Sequence, residues 1–198
     1  MAEALFSADC ADCWSAPAGG DTASAASAWR FDWIAPGGDA APLALGALPE
    51  AAERAQRLGL GLTSGLAMPV LQRQAARPPR AGLQLQVISG PAWQGYFGLQ
   101  LTLRSAQPAA LPAGSTAWLA LIEQVSAGSD GTPVARALVR NVAGPLPLAA
   151  LVPGKALTHL RALRWPASAE PTRLQARAWI EGPDGRLLAV AADRCAER

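Results

Sequence analysis

The residues best suited to chemistry are two cysteines near the N-terminus, Cys10 and Cys13, in the sequence Cys-Ala-Asp-Cys-Trp. They directly follow a short apolar segment typical of a strand. A thiolate at the start of a helix is stabilised by free backbone N–H groups and by the helix dipole, so the first cysteine could act as a nucleophile. The second cysteine, one turn later, would resolve the mixed disulfide. The spacing therefore offers thiol–disulfide exchange as one possible chemistry.

The residues around this pair weaken that interpretation. Asp9 and Asp12 flank the cysteines, and their negative charges would oppose formation of a thiolate. Segment 17–20 contains a proline and two glycines, so we expect at most a single helical turn after Cys13. An inert structural disulfide, a redox-active pair, a metal site and free thiols all stay open, although zinc would require four ligands.

The third cysteine, Cys195, leaves two disulfide pairings open. A Cys10–Cys13 disulfide with Cys195 free is favoured because neighbouring thiols have a high effective concentration and Cys195 lies in a polar tail that could fray. A bridge from Cys10 or Cys13 to Cys195 would close a loop of roughly 180 residues and would stabilise the fold by about 4–5 kcal/mol on the loop-entropy model.

Catalysis by histidine or serine has little support. His159 is the only histidine, and the chain lacks Gly-x-Ser-x-Gly, the motif that places a nucleophilic serine on a sharp turn. We therefore predict no catalytic residues, except Cys10 and Cys13 in the redox alternative, and no cofactor or metal. Without a complete catalytic constellation, the sequence favours a protein that is not an enzyme.

Tryptophan is the other conspicuous residue type, with seven in 198 residues. Tryptophans at inward strand positions fill a core, whereas exposed ones could bind a sugar or a peptide. We interpret Trp118 and Trp179 as core residues because they lie in apolar segments. Trp93 lies in an apparent loop, and it is the tryptophan with most reason to contact a ligand.

Composition describes a folded globular chain. Hydrophobic types make up 51% and charged types 16%, which is enough apolar material for a core and too little charge for disorder. The net charge is +2, and the basic residues, almost all arginine, form no block, so we predict no nucleic-acid partner. Proline, glycine or arginine interrupts every apolar run before the ~20 residues of a membrane helix, so we predict no integral membrane protein.

The rest of the chain has mostly the alternating pattern of strands. Pro49 begins a predicted helix over residues 49–58, with acids in its first turn and glycine just after it. Alternation of apolar and polar residues, or a continuous apolar run, predicts strands elsewhere. These strands cover residues 4–7, 29–34, 83–87, 99–104, 118–122, 134–142, 157–165, 174–181 and 187–191.

The fold class predicted from these elements is mainly β. Successive short strands separated by turns, without intervening helices, indicate an antiparallel β-sandwich. We place the sandwich domain at residues 66–198. Residues 1–65 form an irregular N-terminal segment that carries the cysteine pair and one short helix.

The opening Ala4-Leu5-Phe6-Ser7-Ala8-Asp9-Cys10-Ala11-Asp12-Cys13 resembles that of a bacterial secreted family of unknown function. Members of this family begin Glu-Leu-Phe-Thr-Ser-x-Gly-Cys-x-x-Cys-Pro, with a thioredoxin-like N-terminal half and a C-terminal β-sandwich. Segments 137–142 and 179–189 are similar to strands of that sandwich. This chain has Asp9 and Trp14 in place of the family's glycine and proline, and it is too short before Leu58 for a complete thioredoxin fold. The resemblance therefore implies a remnant thioredoxin-like region.

Two functions follow as expectations. The first is a non-catalytic exported binding or accessory protein whose partner is an unknown protein or small ligand. The alternative is a thiol–disulfide oxidoreductase, or a redox-responsive protein, that uses Cys10 and Cys13. The family-like opening and the single lysine favour a periplasmic or secreted location.

Overall fold

The computed structural model describes residues 1–16, 29–60, 82–107 and 111–193, together with the backbone of Leu71 and Gln72. Cys195 and the boundary predicted between residues 65 and 66 lie outside the described residues. Within them the chain is mainly β, with short helices, and this confirms the predicted fold class. The strands are β1 Ala2–Ser7, β2 Arg30–Ala35, β3 Leu71–Gln72, β4 Leu83–Trp93, β5 Tyr96–Ser105, β6 Thr116–Val125, β7 Arg136–Pro147, β8 Ala156–Arg164, β9 Leu174–Glu181 and β10 Leu187–Ala192, and the α-helices are α1 Ala11–Ser15 and α2 Pro49–Arg57.

The chain divides into two compact units. The first unit consists of Met1–Arg73, Ile122–Arg140 and Ser168–Leu174, and the second of Gln74–Leu121, Asn141–Ala167 and Gln175–Arg198. Strands β6 and β7 therefore contribute residues to both units.

Parallel pairing of β1 with β2 forms the centre of the first unit. Ala2 lies opposite Arg30, and the register continues to Ser7 opposite Ala35. Strand β3 pairs with β1 in the antiparallel sense, and β7 joins the other edge of β2 in parallel. Every residue of β1 is buried, as expected for parallel strands that are covered on both faces.

One face of this parallel pair is held to α2 by a buried ion pair. Glu3 on β1 accepts from Arg54 on α2 at two positions, with Nε to Oε1 at 2.8 Å and Nη2 to Oε2 at 2.7 Å. Trp33 on β2 donates its indole N–H to the same carboxylate at 3.2 Å. All three side chains are almost completely inaccessible to solvent, so the carboxylate and the guanidinium each need the other as a partner.

The second unit contains an antiparallel sheet in the order β4-β5-β8 and strands of a sheet in the order β10-β9-β6-β7. Leu99, Leu101 and Leu103 alternate along β5 as the buried residues of its inner face. Trp118 on β6 and Trp179 on β9 stack with their rings 6.0 Å apart and 10° from parallel. Both are buried, which confirms the prediction that they are core residues.

Three local predictions need correction. The predicted loop at Trp93 is instead the end of β4, and a two-residue turn, Gln94-Gly95, leads straight into β5. In segment 29–34 the alternation of Trp29, Phe31 and Trp33 with Arg30 and Asp32 predicts a strand with one solvent-exposed face, but Asp32 is buried. Residues 1–65 were predicted to carry one short helix, but a second one, the five-residue α1, follows Cys10.

The buried pair between Glu3 and Arg54 generates a stability prediction. Glu3→Gln leaves the guanidinium buried without its counter-charge, so we expect the free energy of unfolding to fall by about 3–5 kcal/mol. Glu53→Gln is the matched control, because its ion pair with Arg57 on the same helix is exposed and its loss should change stability by less than about 1 kcal/mol. Guanidinium unfolding measures both values. Equal small losses would contradict this role of the buried pair.

Candidate functional site

The cysteine pair lies where β1 ends and α1 begins. Cys10 is the N-cap residue of α1, and its backbone N–H donates to the Ser7 carbonyl oxygen at 3.0 Å, which closes the turn out of the strand. Cys10 and Cys13 form a disulfide, as predicted for the adjacent pair. The Cys13 N–H also donates to Cys10 Sγ at 3.3 Å. The first sulfur therefore occupies the place that a serine or aspartate oxygen takes at many helix starts.

The disulfide is packed in an apolar cluster. Cys10 and Cys13 are only 9% and 8% exposed. The other members of this cluster are Ala4, Phe6, Ala8, Trp14, Ile34, Val125 and Leu138. Low-dielectric surroundings disfavour a charged thiolate, because burial removes the water that would solvate it.

Trp14 and Ser15 fasten α1 to the turn between β6 and β7. The indole N–H of Trp14 donates to the Asp130 carbonyl oxygen at 3.0 Å, and Ser15 Oγ donates to the Gly131 carbonyl oxygen at 3.2 Å. The Trp14 ring also meets Phe6 edge to face at 5.9 Å. Trp14 therefore anchors the helix.

Arg136, at the start of β7, holds the other end of α1. Its Nη2 donates to the carbonyl oxygens of Trp14 at 2.6 Å and Ala16 at 2.8 Å. These are carbonyls at a helix C-terminus, which otherwise lack partners within the helix. The guanidinium carbon lies 5.1 Å from the ring centroids of both Phe6 and Trp14, within cation–π distance.

The charge of Arg136 is balanced by Asp32 on β2. Arg136 Nη1 is 3.8 Å from Asp32 Oδ1, and the carboxylate also accepts from Arg30 and from the Ala137 backbone N–H. Burial lowers the pKa of Arg136, whereas the negative charge of Asp32 acts in the opposite direction. The guanidinium therefore has carbonyl oxygens at the end of α1 and a carboxylate on β2 as its partners.

Asp9, one of the two acids that flank the cysteines, has a structural role. Its carboxylate accepts from the Gly38 backbone N–H at 3.0 Å and from Ser7 Oγ at 3.3 Å. A Cβ atom at Gly37 would overlap this carboxylate, so Asp9 packs directly on the loop after β2. Asp12 is exposed on α1.

The other residues considered for a function, His159 and possible metal ligands, do not form part of the cysteine site. The ring Nε2 of His159, on β8, is 3.1 Å from the Pro147 carbonyl oxygen, which ties β8 to the end of β7. In the part of the chain that the structure describes, no three His, Cys, Asp or Glu side chains come together as metal ligands. The helices found there are all too short or too polar to cross a membrane.

The fold and the site together define a mainly-β protein of two units, one of which carries a disulfide at the start of a short helix. No protein-family model matches the chain, and no curated protein matches it. Among solved structures, it is similar to a domain of the outer membrane lipoprotein Omp28 from Porphyromonas gingivalis, with 12% identity and a TM-score of 0.40. That similarity covers 63% of this chain and 96% of the other. At this level the function has to be argued from the chain's own residues.

Sequence reasoning missed Arg136 and Asp32 as supports of the cysteine pair. Arg136 lies more than a hundred residues after the helix that it holds, and nothing local distinguishes it from the other arginines. Asp32 lies between two aromatic residues, Phe31 and Trp33, and in an alternating strand such a position ordinarily faces solvent, so the sequence did not indicate that Asp32 is buried with a partner.

Replacing Arg136 tests its hold on α1. Arg136→Ala should lower the free energy of unfolding by about 3 kcal/mol, because it removes a buried partner of Asp32 and leaves helix carbonyls without donors. Arg136→Lys keeps the positive charge but loses the planar guanidinium that donates to several acceptors at once, so we expect a fall in the free energy of unfolding smaller than that of Arg136→Ala. We also expect dithiothreitol to reduce the disulfide faster in both variants, because α1 is loosened. Arg186→Ala, an exposed control, should change neither quantity, and an Arg136→Ala variant that behaves like it would disprove this role.

Proposed function

We propose that the protein is a non-catalytic accessory or binding protein exported from the cytoplasm, and that Cys10–Cys13 is a structural disulfide. The observation that carries this proposal is the set of contacts at both ends of α1: Trp14 and Arg136 make hydrogen bonds at its far end, and the disulfide closes its near end. Each of these contacts resists the movement that would bring a sulfur to the surface.

Thiol–disulfide exchange requires an incoming thiolate to reach one sulfur and a second thiolate to leave. Both steps are hindered here, because the two cysteines are buried in an apolar cluster. Asp12 adds a negative charge on α1 between them, and Asp9 adds another in the preceding turn. The described neighbours of the sulfurs thus favour an intact disulfide over a reactive dithiol.

Export is supported by the disulfide and by the resemblance of the opening segment to a secreted family. Disulfides persist in oxidising compartments such as the periplasm and are uncommon in the cytosol. The ligand or partner is an unidentified protein or small molecule.

One observation favours the alternative, a thiol–disulfide oxidoreductase. The Cys13 N–H donates to Cys10 Sγ, a contact that would stabilise a Cys10 thiolate if the pair were reduced. In chain order, the pair and α1 also lie between β1 and β2, which pair in parallel. A Cys-x-x-Cys in such a β-α-β unit is typical of thioredoxin-like redox sites. In this alternative Cys10 would be the nucleophile and Cys13 the resolving cysteine.

Insulin reduction by dithiothreitol separates the two functions. In a Cys195→Ser background, we expect the protein to give no turnover above that of a Cys10→Ser/Cys13→Ser variant, while a thioredoxin standard accelerates the reaction. The double variant should still fold and lose about 2 kcal/mol of stability, because a disulfide that closes so small a loop removes little unfolded-state entropy. Turnover that depends on both cysteines would overturn the structural assignment and favour the oxidoreductase.

A further inference from the structure

The outer face of the β4-β5-β8 sheet, here named the open sheet face, is accessible to solvent. The strand register gives its rows: Trp93, Tyr96 and Arg164 form one, and Ile88, Gln100 and Leu160 another. Trp93 is 73% exposed and Leu160 is 66% exposed, while Ile88 and Tyr96 are about half as exposed as a free side chain would be. Apolar side chains gathered in this way on a surface commonly mark an interaction site.

Between these two rows the open sheet face has a trough of about 450 Å³. Gly98 and Ala162 face each other across β5 and β8 at its centre, and Gly90 lies at the β4 side. Ile88 and Leu160 form its wall on one side. The trough exists because the residues between the two rows have almost no side chain.

The fold itself does not require glycine at position 98. Its φ angle is not left-handed, and a Cβ atom there would meet no atom within 4 Å. Glycine inside a strand is destabilising, and it often marks a place where a ligand or another backbone approaches closely. A glycine at this position therefore fits a partner that enters the trough.

The three strands of the open sheet face carry only basic charges, and the acid Asp193 lies beside β4, where its carboxylate accepts from the backbone N–H and the hydroxyl of Ser89. No Asp or Glu occurs between Glu53 and Glu123 or between Asp130 and Glu170, so β4, β5 and β8 carry no acid at all. Arg104 and Arg164 lie on the face itself, and both are exposed. Such a surface is complementary to an anionic partner and repels a cationic one.

The shape of the face discriminates between two kinds of anionic partner. A membrane surface is planar and is bound by protruding apolar side chains, whereas here the apolar surface includes a recess. A protein segment can fill a recess with one bulky side chain while one of its carboxylates meets Arg164 beside the trough and another meets Arg104, six residues along β5 from Gly98. Aromatic residues and arginine at the edge of a pocket are also typical of protein interfaces.

We infer that the open sheet face docks an acidic protein segment that places one bulky apolar side chain in the trough over Gly98 and its carboxylates beside Arg164 and Arg104. This inference rests on the proposed function, since it names the class of partner that a binding protein of this structure would take. Trp93 and Tyr96 would cover the inserted side chain from the turn end of the sheet.

Selection of phage-displayed random peptides on the immobilised 198-residue chain tests the inference. We expect enriched peptides to share a bulky apolar residue with Asp or Glu close by. Synthetic versions of these peptides should bind in fluorescence anisotropy with an affinity that falls as salt is raised. A selection without a consensus, or with a consensus that lacks acids, would overturn the inference.

Matched variants locate the binding. Gly98→Val fills the trough and should weaken the selected peptides by about tenfold or more, while its melting temperature stays equal or rises because valine favours strands. If the valine variant does not fold, Gly98→Ala is used, and a loss of severalfold is expected. Arg164→Glu should weaken acidic peptides to a similar degree, whereas Arg186→Glu, on the turn before β10, should leave them unaffected. Peptide affinities that are unchanged in the Gly98 and Arg164 variants would show that the peptides bind elsewhere and would overturn the inference.

Two further measurements cover the other occupants. If the protein binds vesicles of phosphatidylcholine and phosphatidylglycerol and Arg164→Glu abolishes that binding, the open sheet face binds a membrane and the inference is wrong. If the protein self-associates and Gly98→Val abolishes the self-association, the face binds a second copy of the chain and the inference is also wrong. Failure of docking is separable from failure of the proposed function. Absence of peptide binding together with no insulin turnover would reject the docking inference alone. Insulin turnover together with peptide binding would reject the structural role of the disulfide alone.

Discussion

Burial of carboxylates in the central strands is the constraint on which the described first unit depends. Glu3 and Asp32 lie on adjacent parallel strands, on opposite faces, and both are fully inaccessible to solvent. A buried charge without a partner would be too costly for the fold, so each acid requires an arginine. Arg54 pairs with Glu3 on one face and holds α2 against the strands. Arg136 pairs with Asp32 on the other face and also contacts α1. A third acid, Glu123 on β6, repeats the pattern with Arg140 at 2.5 Å and Arg173 at 2.6 Å.

The environment of the disulfide follows from this arrangement. Because Arg136 is held by Asp32, its other donors are fixed where the last carbonyls of α1 need them. The rings of Trp14 and Phe6 contact each other and both contact Arg136, and the cysteines belong to the same apolar cluster as the two rings. The contacts that hold the site therefore depend on the ion pair between Arg136 and Asp32, whose arginine also donates to the Cys13 carbonyl oxygen at 3.4 Å. These contacts are the basis for assigning the disulfide a structural role.

The sequence predicted those parts of the protein that local pattern determines. Alternation identified β4 and β5, the proline start and glycine end identified α2, and the short spacing identified the Cys10–Cys13 pairing. The sequence could not predict the role of Arg136, because its partners are distant in sequence. Nor could it predict the burial of Asp32, because an alternating strand is expected to expose one face to solvent unless another element is known to pack on that face. The open sheet face was also missed, because the absence of acids over long stretches produces no run of like charges.

The central claim is that the disulfide stabilises the fold and does not exchange electrons, and its reduction potential is the most direct test. Equilibration of the Cys195→Ser protein in dithiothreitol redox buffers, followed by alkylation and mass spectrometry, gives the fraction of Cys10–Cys13 that is reduced. For a structural disulfide we expect a potential well below the roughly −270 to −120 mV range of catalytic dithiols. A potential inside that range would contradict the structural role.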